Sequence, residues 1–283
     1  MKKNIGIIGN GFVGSAIAAG FALDANVLVY DTDPRRATHT LEEVVRESQF
    51  IFVCVPTPMR ARTGKIDVSI IRNVFDEVKS YPTRDDQIFI IKSTTTPTSL
   101  NQLISDHSDL RIVFSPEFLT ERTARLDFIN TSRIVIGGKR LDTAVVGEMF
   151  KVRFPYTKII QTDFITAQFI KYMANSFFAT KVAFMNELHQ AAETLSIDWE
   201  QAMDGFVTDG RIGNSHLSVP GHDGYRGFGG KCFPKDLNAF INMYKDIGVK
   251  PTIMSAVWEK NLEIREYRDW LDIPGATSEE VEE

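Results

Sequence analysis

Short runs of continuous apolar residues recur along the first half of the chain, with amphipathic stretches between them. Residues 4–8 (NIGII), 27–30 (VLVY), 50–55 (FIFVCV), 88–91 (IFII), 111–114 (RIVF) and 133–136 (RIVI) each have the length and side chains of a buried strand. Helical segments such as SAIAAGFAL lie between most of them. Apolar strands alternating with helices predict an α/β fold, a Rossmann-like doubly wound parallel sheet covered on both faces.

The pattern changes after about residue 162. From Asp163 to about Leu195 there is no helix breaker, and Phe169, Tyr172, Met173, Phe177, Val182, Met185 and Leu188 recur at helical spacing. One long helix is expected there, capped by Asp163 or Thr162. Beyond it the chain reads as a smaller all-α domain around one glycine-rich loop, Val219 to Lys231. The expected organisation is a dinucleotide-binding domain over 1–162, a connecting helix over 163–195, a helical domain over 196–270, and a frayed acidic tail over 271–283.

Composition narrows the function. The chain has 283 residues, is 43% hydrophobic and carries a net charge of −5 with no strong basic patch, so nucleic acid is not an expected partner. Its two cysteines, Cys54 and Cys232, are far apart and suggest a reducing cytoplasm, not a disulfide framework. The start, MKKNIGIIGNG, reaches glycines too soon for a signal peptide, and no run of about 18 apolar residues predicts a membrane span.

Gly9-x-Gly11-x-x-Gly14, with Phe12 and Val13 inside it, follows the first strand and opens a helix. Asp31 lies 17 residues past Gly14, at the end of the next strand. Glycines there allow a tight turn and close approach of a pyrophosphate to the helix N-terminus, and the carboxylate suits ribose hydroxyls. A carboxylate also repels a 2′-phosphate, so NAD is the expected cofactor; Arg35 and Arg36 leave NADP in view.

Three pairs of polar residues stand four apart. Lys171 and Asn175 share a face of the long helix, where both would polarise a substrate oxygen; spacing alone favours instead a solvated lysine beside a capping or packing asparagine. Cys232 precedes Pro234 at the start of a helix to about Ile247, with Asp236 one turn on. The helix dipole, Lys231 and Lys235 all favour a thiolate there, and Gly227-Phe228-Gly229-Gly230 would let the backbone approach a ligand. Cys54, inside FVCV, reads instead as a core residue. Glu117 and Glu121 follow the fifth strand at the carboxyl edge of the sheet, as water-orienting groups or plain solvent-facing glutamates. Thr94 follows the fourth strand, as a site hydroxyl or a cap. No metal is called for.

Together these segments resemble the UDP-glucose/GDP-mannose dehydrogenase family over roughly residues 3–265. The carrying motifs are the Gly9–Gly14 loop, VCVPTP (53–58), KSTTTP (92–97), SPEFLTE (115–121), KYMANSFFATKVAFMNE (171–187), RIGN (211–214) and GFGGKCFPKD (227–236). The resemblance implies NAD-dependent four-electron oxidation of the C6 alcohol of a nucleotide sugar. Cys232 would carry the aldehyde as a thiohemiacetal and then a thioester. Lys171 and Asn175 would stabilise the oxyanion, Asp236 and Thr94 would work through water with Glu121 nearby, and Glu117 would assist thioester hydrolysis. Val55, Pro56, Thr57, Thr94, Glu121 and Lys235 would join the glycine loop and Asp31 around the cofactor. Glu117, Phe118, Leu119, Lys171, Asn175 and the 227–230 loop would hold the sugar. Arg211 would reach substrate from a partner subunit, implying a homodimer built on the long helix.

Arg122 and Thr98 stand where the family often has glycine. Family members also continue into a second nucleotide-binding-like domain, so here the diphosphate grip is expected to come from the remaining loops, to come from a partner chain, or to be weak. RIGNSHLSVPG favours UDP-glucose over GDP-mannose. Two rivals stay open: a two-electron β-hydroxyacid dehydrogenase, which has no need of Cys232, and a non-catalytic chain that binds nucleotide or a partner.

Overall fold

The computed structural model describes residues 2–279. In chain order it contains β1 (Lys3–Ile8), α1 (Phe12–Phe21), β2 (Ala25–Tyr30), α2 (Leu41–Glu47), β3 (Phe50–Val53), β4 (Met59–Arg60), α3 (Ser69–Val78), β5 (Ile88–Ile91), α4 (Pro97–Asp106), β6 (Ile112–Phe114), α5 (Ala124–Ile129), β7 (Arg133–Gly138), α6 (Arg140–Arg153), β8 (Lys158–Thr162), α7 (Phe164–Thr194), α8 (Trp199–Val207), α9 (Phe233–Asp246), α10 (Thr252–Ile264) and β9 (Thr277–Ser278). Two compact units divide the chain: residues up to Thr57 with Asp67–Lys171, and Pro58–Ile66 with Tyr172 onward. No helix among the described residues is long and apolar enough to cross a membrane.

The first unit is built on a seven-stranded sheet in the order β2-β1-β3-β5-β6-β7-β8. The apolar runs form its strands because both faces are covered: every residue of β3 and β5 is buried. One face packs Phe21, Phe52, Phe128, Phe150 and Phe154; the other packs Phe75, Phe89, Phe114 and Leu100. The sheet is mostly parallel, with one exception to the expected pattern: β7 runs antiparallel to β6, pairing Val113 with Gly138 and Phe114 with Gly137. The link between them holds a short 3-10 turn and the six-residue α5, which packs through Phe128 where a Cβ on Gly20 would sit. The chain therefore re-enters the sheet at the edge where β6 leaves it. That keeps SPEFLTE at the carboxyl edge of the parallel strands. β8, outside the expected strands, then pairs parallel with β7.

The second unit is helical. Ala179, Ala183, Phe228, Leu237, Ile241 and Val257 form its core, and Tyr172 stacks on Phe240 at 5.4 Å. The loop after β3 contributes a small hairpin, closed by Arg60 N–H to Lys65 O and Gly64 N–H to Arg60 O. Its β4 pairs with β9, Met59 opposite Thr277 and Arg60 opposite Ser278. Thr277 and Ser278 thus form a strand in place of the expected frayed tail, because Met59, Trp270 and Ala276 bury one another beneath it. Residues 280–283 of that tail lie outside the described residues.

The long helix spans Phe164–Thr194, and Asp163 is its cap: its carboxylate accepts from Thr166 N–H at 2.8 Å. Its apolar positions are split. Tyr172 and Met185 are buried, whereas Phe169, Met173, Phe177 and Leu188 are exposed and lie in line with Ile165 and Phe184.

Candidate active site

The three glycines of the first loop do different things. Gly9 adopts φ +94°, and a Cβ there would come within 2.8 Å of the Cys54 carbonyl oxygen. A Cβ on Gly14 would collide with the Gly9 carbonyl. Both are glycine because the protein's own backbone occupies the space. Gly11 has nothing within 4 Å of its missing Cβ and caps α1 without a side-chain hydrogen bond. The space beside Gly11 is open, and the first amides of a helix lack intrahelical partners, which together suit a pyrophosphate. Asp31 braces the loop by accepting from Asn10 N–H at 2.6 Å and Asp33 N–H at 2.9 Å. Asn10 Oδ1 is buried with no hydrogen-bond partner, a polar atom left over beside the loop. Arg35 is held by both oxygens of Asp33, whose carboxyl it lowers. One of the two arginines that kept NADP in view is thus already engaged. These features fit NAD.

At the carboxyl edge, SPEFLTE is pinned by two buried lysines. Lys92, at the end of β5, donates to Ser115 Oγ at 3.3 Å and Pro116 O at 3.2 Å. Lys171 donates to the Glu117 carbonyl at 2.8 Å and its carboxylate at 2.7 Å. The other Glu117 oxygen accepts from Leu119 N–H at 2.6 Å. Burial pushes Lys92 down to about 8, against the pull of Cys54 and Glu117, with Lys171 adding to the fall. Cys54, just past β3, is pushed up to about 12 by burial. Phe118 lies under the Arg133 guanidinium at 4.2 Å, with Lys171 Nζ 5.7 Å from its ring. Of the two expected glutamates, Glu117 is buried and Glu121 is exposed. Their spacing is not helical, because residues 115–120 form an irregular segment before a short 3-10 turn. Thr94 is buried and is not a cap; Thr96 caps α4 with Ser99. Val55 accepts a hydrogen bond from Ser93 at 2.6 Å, Pro56 is exposed and Thr57 is buried.

In the second unit, Cys232 is the N-cap of α9, half-buried, with proline in the first turn. Its carbonyl accepts from Asp236 N–H at 2.8 Å, the first turn of the helix. The Asp236 carboxylate is 1% exposed. It accepts from Asn175 Nδ2 at 2.6 Å and pairs with Lys235 Nζ at 2.5 Å. Lys235 is therefore turned onto Asp236, an arrangement the helix-dipole argument did not anticipate.

The 227–230 loop is glycine-rich for a different reason from the one expected. A Cβ on Gly227 would strike Asn261 Oδ1, and one on Gly229 would strike Arg265 and Asp269. Only Gly230, at φ +75°, has empty space beside it. Asn261 holds Phe228 by both its N–H (2.7 Å) and its carbonyl (2.9 Å), and Asn186 accepts from Gly227 N–H at 3.2 Å. Sequence reasoning passed over Lys92, Asn186, Asn261, Arg265 and Asp269. Only Lys92 carried a signal, a lysine directly after four buried apolar residues. Arg211 follows α8, exposed and held by both oxygens of Asp209.

Comparison with known proteins decides the family. The model of the UDP-glucose/GDP-mannose dehydrogenase family, NAD binding domain, matches residues 35–153, and the model of its central domain matches 165–263. The chain belongs to the UDP-glucose/GDP-mannose dehydrogenase family. It carries that family's NAD-binding domain. It is 33% identical over 234 residues to a UDP-glucose 6-dehydrogenase of Rickettsia bellii (strain RML369-C), covering 80% of this chain and 52% of that protein. The chain spans about half the length of the curated relatives it matches. A UDP-glucose dehydrogenase from the hyperthermophilic archaeon Pyrobaculum islandicum superposes with a TM-score of 0.80 at 25% identity, over 93% of this chain and 68% of that one. A 3-hydroxyisobutyrate dehydrogenase of Mycobacterium tuberculosis shares the fold, with a TM-score of 0.74 at 17% identity over 93% of this chain and 94% of that one.

Proposed function

We propose that this chain oxidises the C6 alcohol of UDP-glucose to UDP-glucuronate, in two steps of two electrons each. The observation that carries the proposal is Cys232 at the N-cap of α9, with buried Asp236 one turn on, held by Asn175 and Lys235. A structural thiol needs no such setting. The 3-hydroxyisobutyrate dehydrogenase fold is shared, but a single two-electron oxidation has no use for a nucleophile here.

NAD, when bound, would supply the hydride acceptor, one molecule for each of the two oxidations. The amides at Gly11 and the start of α1 hold its pyrophosphate and Asp31 its ribose, with Val55, Pro56, Thr57, Thr94, Glu121 and Lys235 as the further expected contacts. In the proposed reaction the C6 alcohol first loses a hydride and a proton, giving an aldehyde. Cys232 Sγ adds to the aldehyde carbon, and the oxygen takes a proton, giving a thiohemiacetal. Loss of a second hydride and a proton leaves a thioester. Water adds, the C–S bond breaks and the carboxylate leaves as the thiolate reforms. Lys171 and Asn175 stabilise oxyanions along this path, and Asp236, Thr94 and Glu117 orient water. The sugar is held by Phe118, Leu119 and Gly227–Gly230. A working thiolate needs a reducing compartment, so the cytoplasm is the proposed location.

The exposed line Ile165, Phe169, Met173, Phe177, Phe184 and Leu188 supports a homodimer packed on α7, with Arg211 lent to the partner's substrate.

The test is to count NADH formed per UDP-glucose consumed. Two supports four-electron oxidation, one supports a simple dehydrogenase, and none removes the enzymatic reading. Cys232→Ser should slow turnover severely or trap an intermediate; full steady-state turnover in that variant would sink covalent catalysis.

A further inference from the structure

Past α10, the chain folds back and ties down the loop that leads to Cys232. All the groups involved lie in the second unit. Arg265 is 2% exposed and is the hub. Its Nε donates to Tyr267 O at 3.0 Å, and its Nη2 donates to Asp223 Oδ2 at 2.8 Å. The same Nη2 lies 3.1 Å from Asp269 Oδ1. The guanidinium also lies 5.3 Å over the Tyr225 ring. The second oxygen of Asp269 accepts from Gly230 N–H at 3.0 Å. Asp223, near the start of the loop, and Gly230, near its end, are thus joined through one buried guanidinium and one carboxylate. Gly229 sits so close to both side chains that a Cβ there would collide with each. Residues matched by the family's central-domain model end at 263, so Arg265 and Asp269 lie beyond them.

A buried guanidinium with two carboxylates is costly to desolvate, and a plain apolar contact would close the helical core as well. What the ion pairs add is direction. They end on the backbone two residues before Cys232, at a glycine in the left-handed region. A nucleophile displaced by about 1 Å loses on the order of a hundredfold in rate, so fixing that backbone matters to any reaction at the thiol.

We propose that Arg265 and Asp269 are positioning residues that fix Gly230 and so hold Cys232 at the start of α9. The proposal rests on reading Cys232 as the nucleophile, but its first test does not. Iodoacetamide labelling of the full chain, read by peptide mapping, reports on Cys232 without turnover. Cys54 is half-buried and its thiol is pushed up to about 12, so it should label far more slowly, and peptide mapping separates it from Cys232.

Asp269→Ala is expected to speed Cys232 labelling about fivefold or more, and to lower kcat about tenfold while NAD affinity is unchanged. Asp269→Asn keeps an oxygen for Gly230 but loses the charge facing Arg265, so it should speed labelling by a smaller factor, more than about twofold. Labelling within about twofold of the parent in both variants overturns the proposal. Where the alanine variant melts below the assay temperature, Asp269→Asn decides alone by the same limit. Faster labelling with undiminished turnover leaves the positioning in place and overturns instead the nucleophilic role of Cys232.

Discussion

Lys171 holds Glu117 by two hydrogen bonds at once, to its carboxylate at 2.7 Å and to its own carbonyl at 2.8 Å. Both side chains are almost wholly buried, 3% and 7% exposed. Removing the cation leaves a buried carboxylate without its counter-charge. Lys171→Ala should therefore cost roughly 3–5 kcal/mol of stability in urea unfolding. It should also lower kcat/KM by about a hundredfold or more if Lys171 stabilises an oxyanion. Glu117→Gln keeps the carbonyl contact and should cost less in both measurements. Activity within a few-fold of the parent in Lys171→Ala would remove the oxyanion role.

Gly11 and Gly14 separate ligand approach from packing. Alanine at Gly11 meets nothing within 4 Å, so Gly11→Ala should change the melting temperature little. It should weaken NAD binding about tenfold or more, because the methyl group enters the space a pyrophosphate needs. Alanine at Gly14 collides with the Gly9 carbonyl, so Gly14→Ala should lower stability by about 1–3 kcal/mol even without NAD. Thermal melting beside NAD titration tells the two apart. Equal melting temperatures for the two variants would contradict the assignment.

Lys92 makes stability depend on pH in a definite direction. Burial lowers it from 10.5 to about 8, so the unfolded chain binds a proton here more tightly than the folded one. Stability from this group is therefore least below about 8, rises between about 8 and 10.5, and is full above that window. The whole rise is about 3 kcal/mol, on the usual 1.4 kcal/mol per pH unit. Lys92→Met should flatten this part of the pH profile in chemical denaturation. A parallel profile in the variant would mean that Lys92 keeps an ordinary pKa.

The exposed line on α7 predicts an oligomer. Met173, Phe177 and Phe184 are 52%, 61% and 53% exposed. If a second copy covers them, light scattering should give twice the chain mass. Phe177→Glu should then shift the population to monomer with little effect on the melting temperature of the monomer, because the side chain is mostly exposed, with Phe178 as a ring neighbour at 6.3 Å. A monomeric parent would remove both the dimer and the proposed exchange of Arg211.

Periodicity alone revealed most of the fold. The apolar strands are continuous because both faces of the sheet are covered, and an uninterrupted helical repeat from Phe164 to Thr194 has no other way to fold. β8 escaped because KIIQT is only half-buried and too short in apolar residues. The reversal of β7 escaped because strand direction is set by what the connection packs on, here Phe128 against α1. The candidate site residues were legible where type and spacing agree. The Gly9–Gly14 loop, Asp31, Lys171, Asn175, Cys232 and Asp236 are all visible in the chain order.

Sequence by itself determined the family, the dinucleotide loop and a cysteine at the head of a proline-started helix, because these depend on local backbone geometry. Tertiary structure alone decided which charges face which. Glu117 is buried against Lys171 while Glu121 stays in solvent, and Lys235 turns to Asp236. The glycines of the 227–230 loop make room for Asn261, Arg265 and Asp269, which lie more than thirty residues further along. Such pairings join segments distant in the chain, and burial makes them compulsory. A desolvated charge or amide must find a partner, and only the folded chain says which one is in reach.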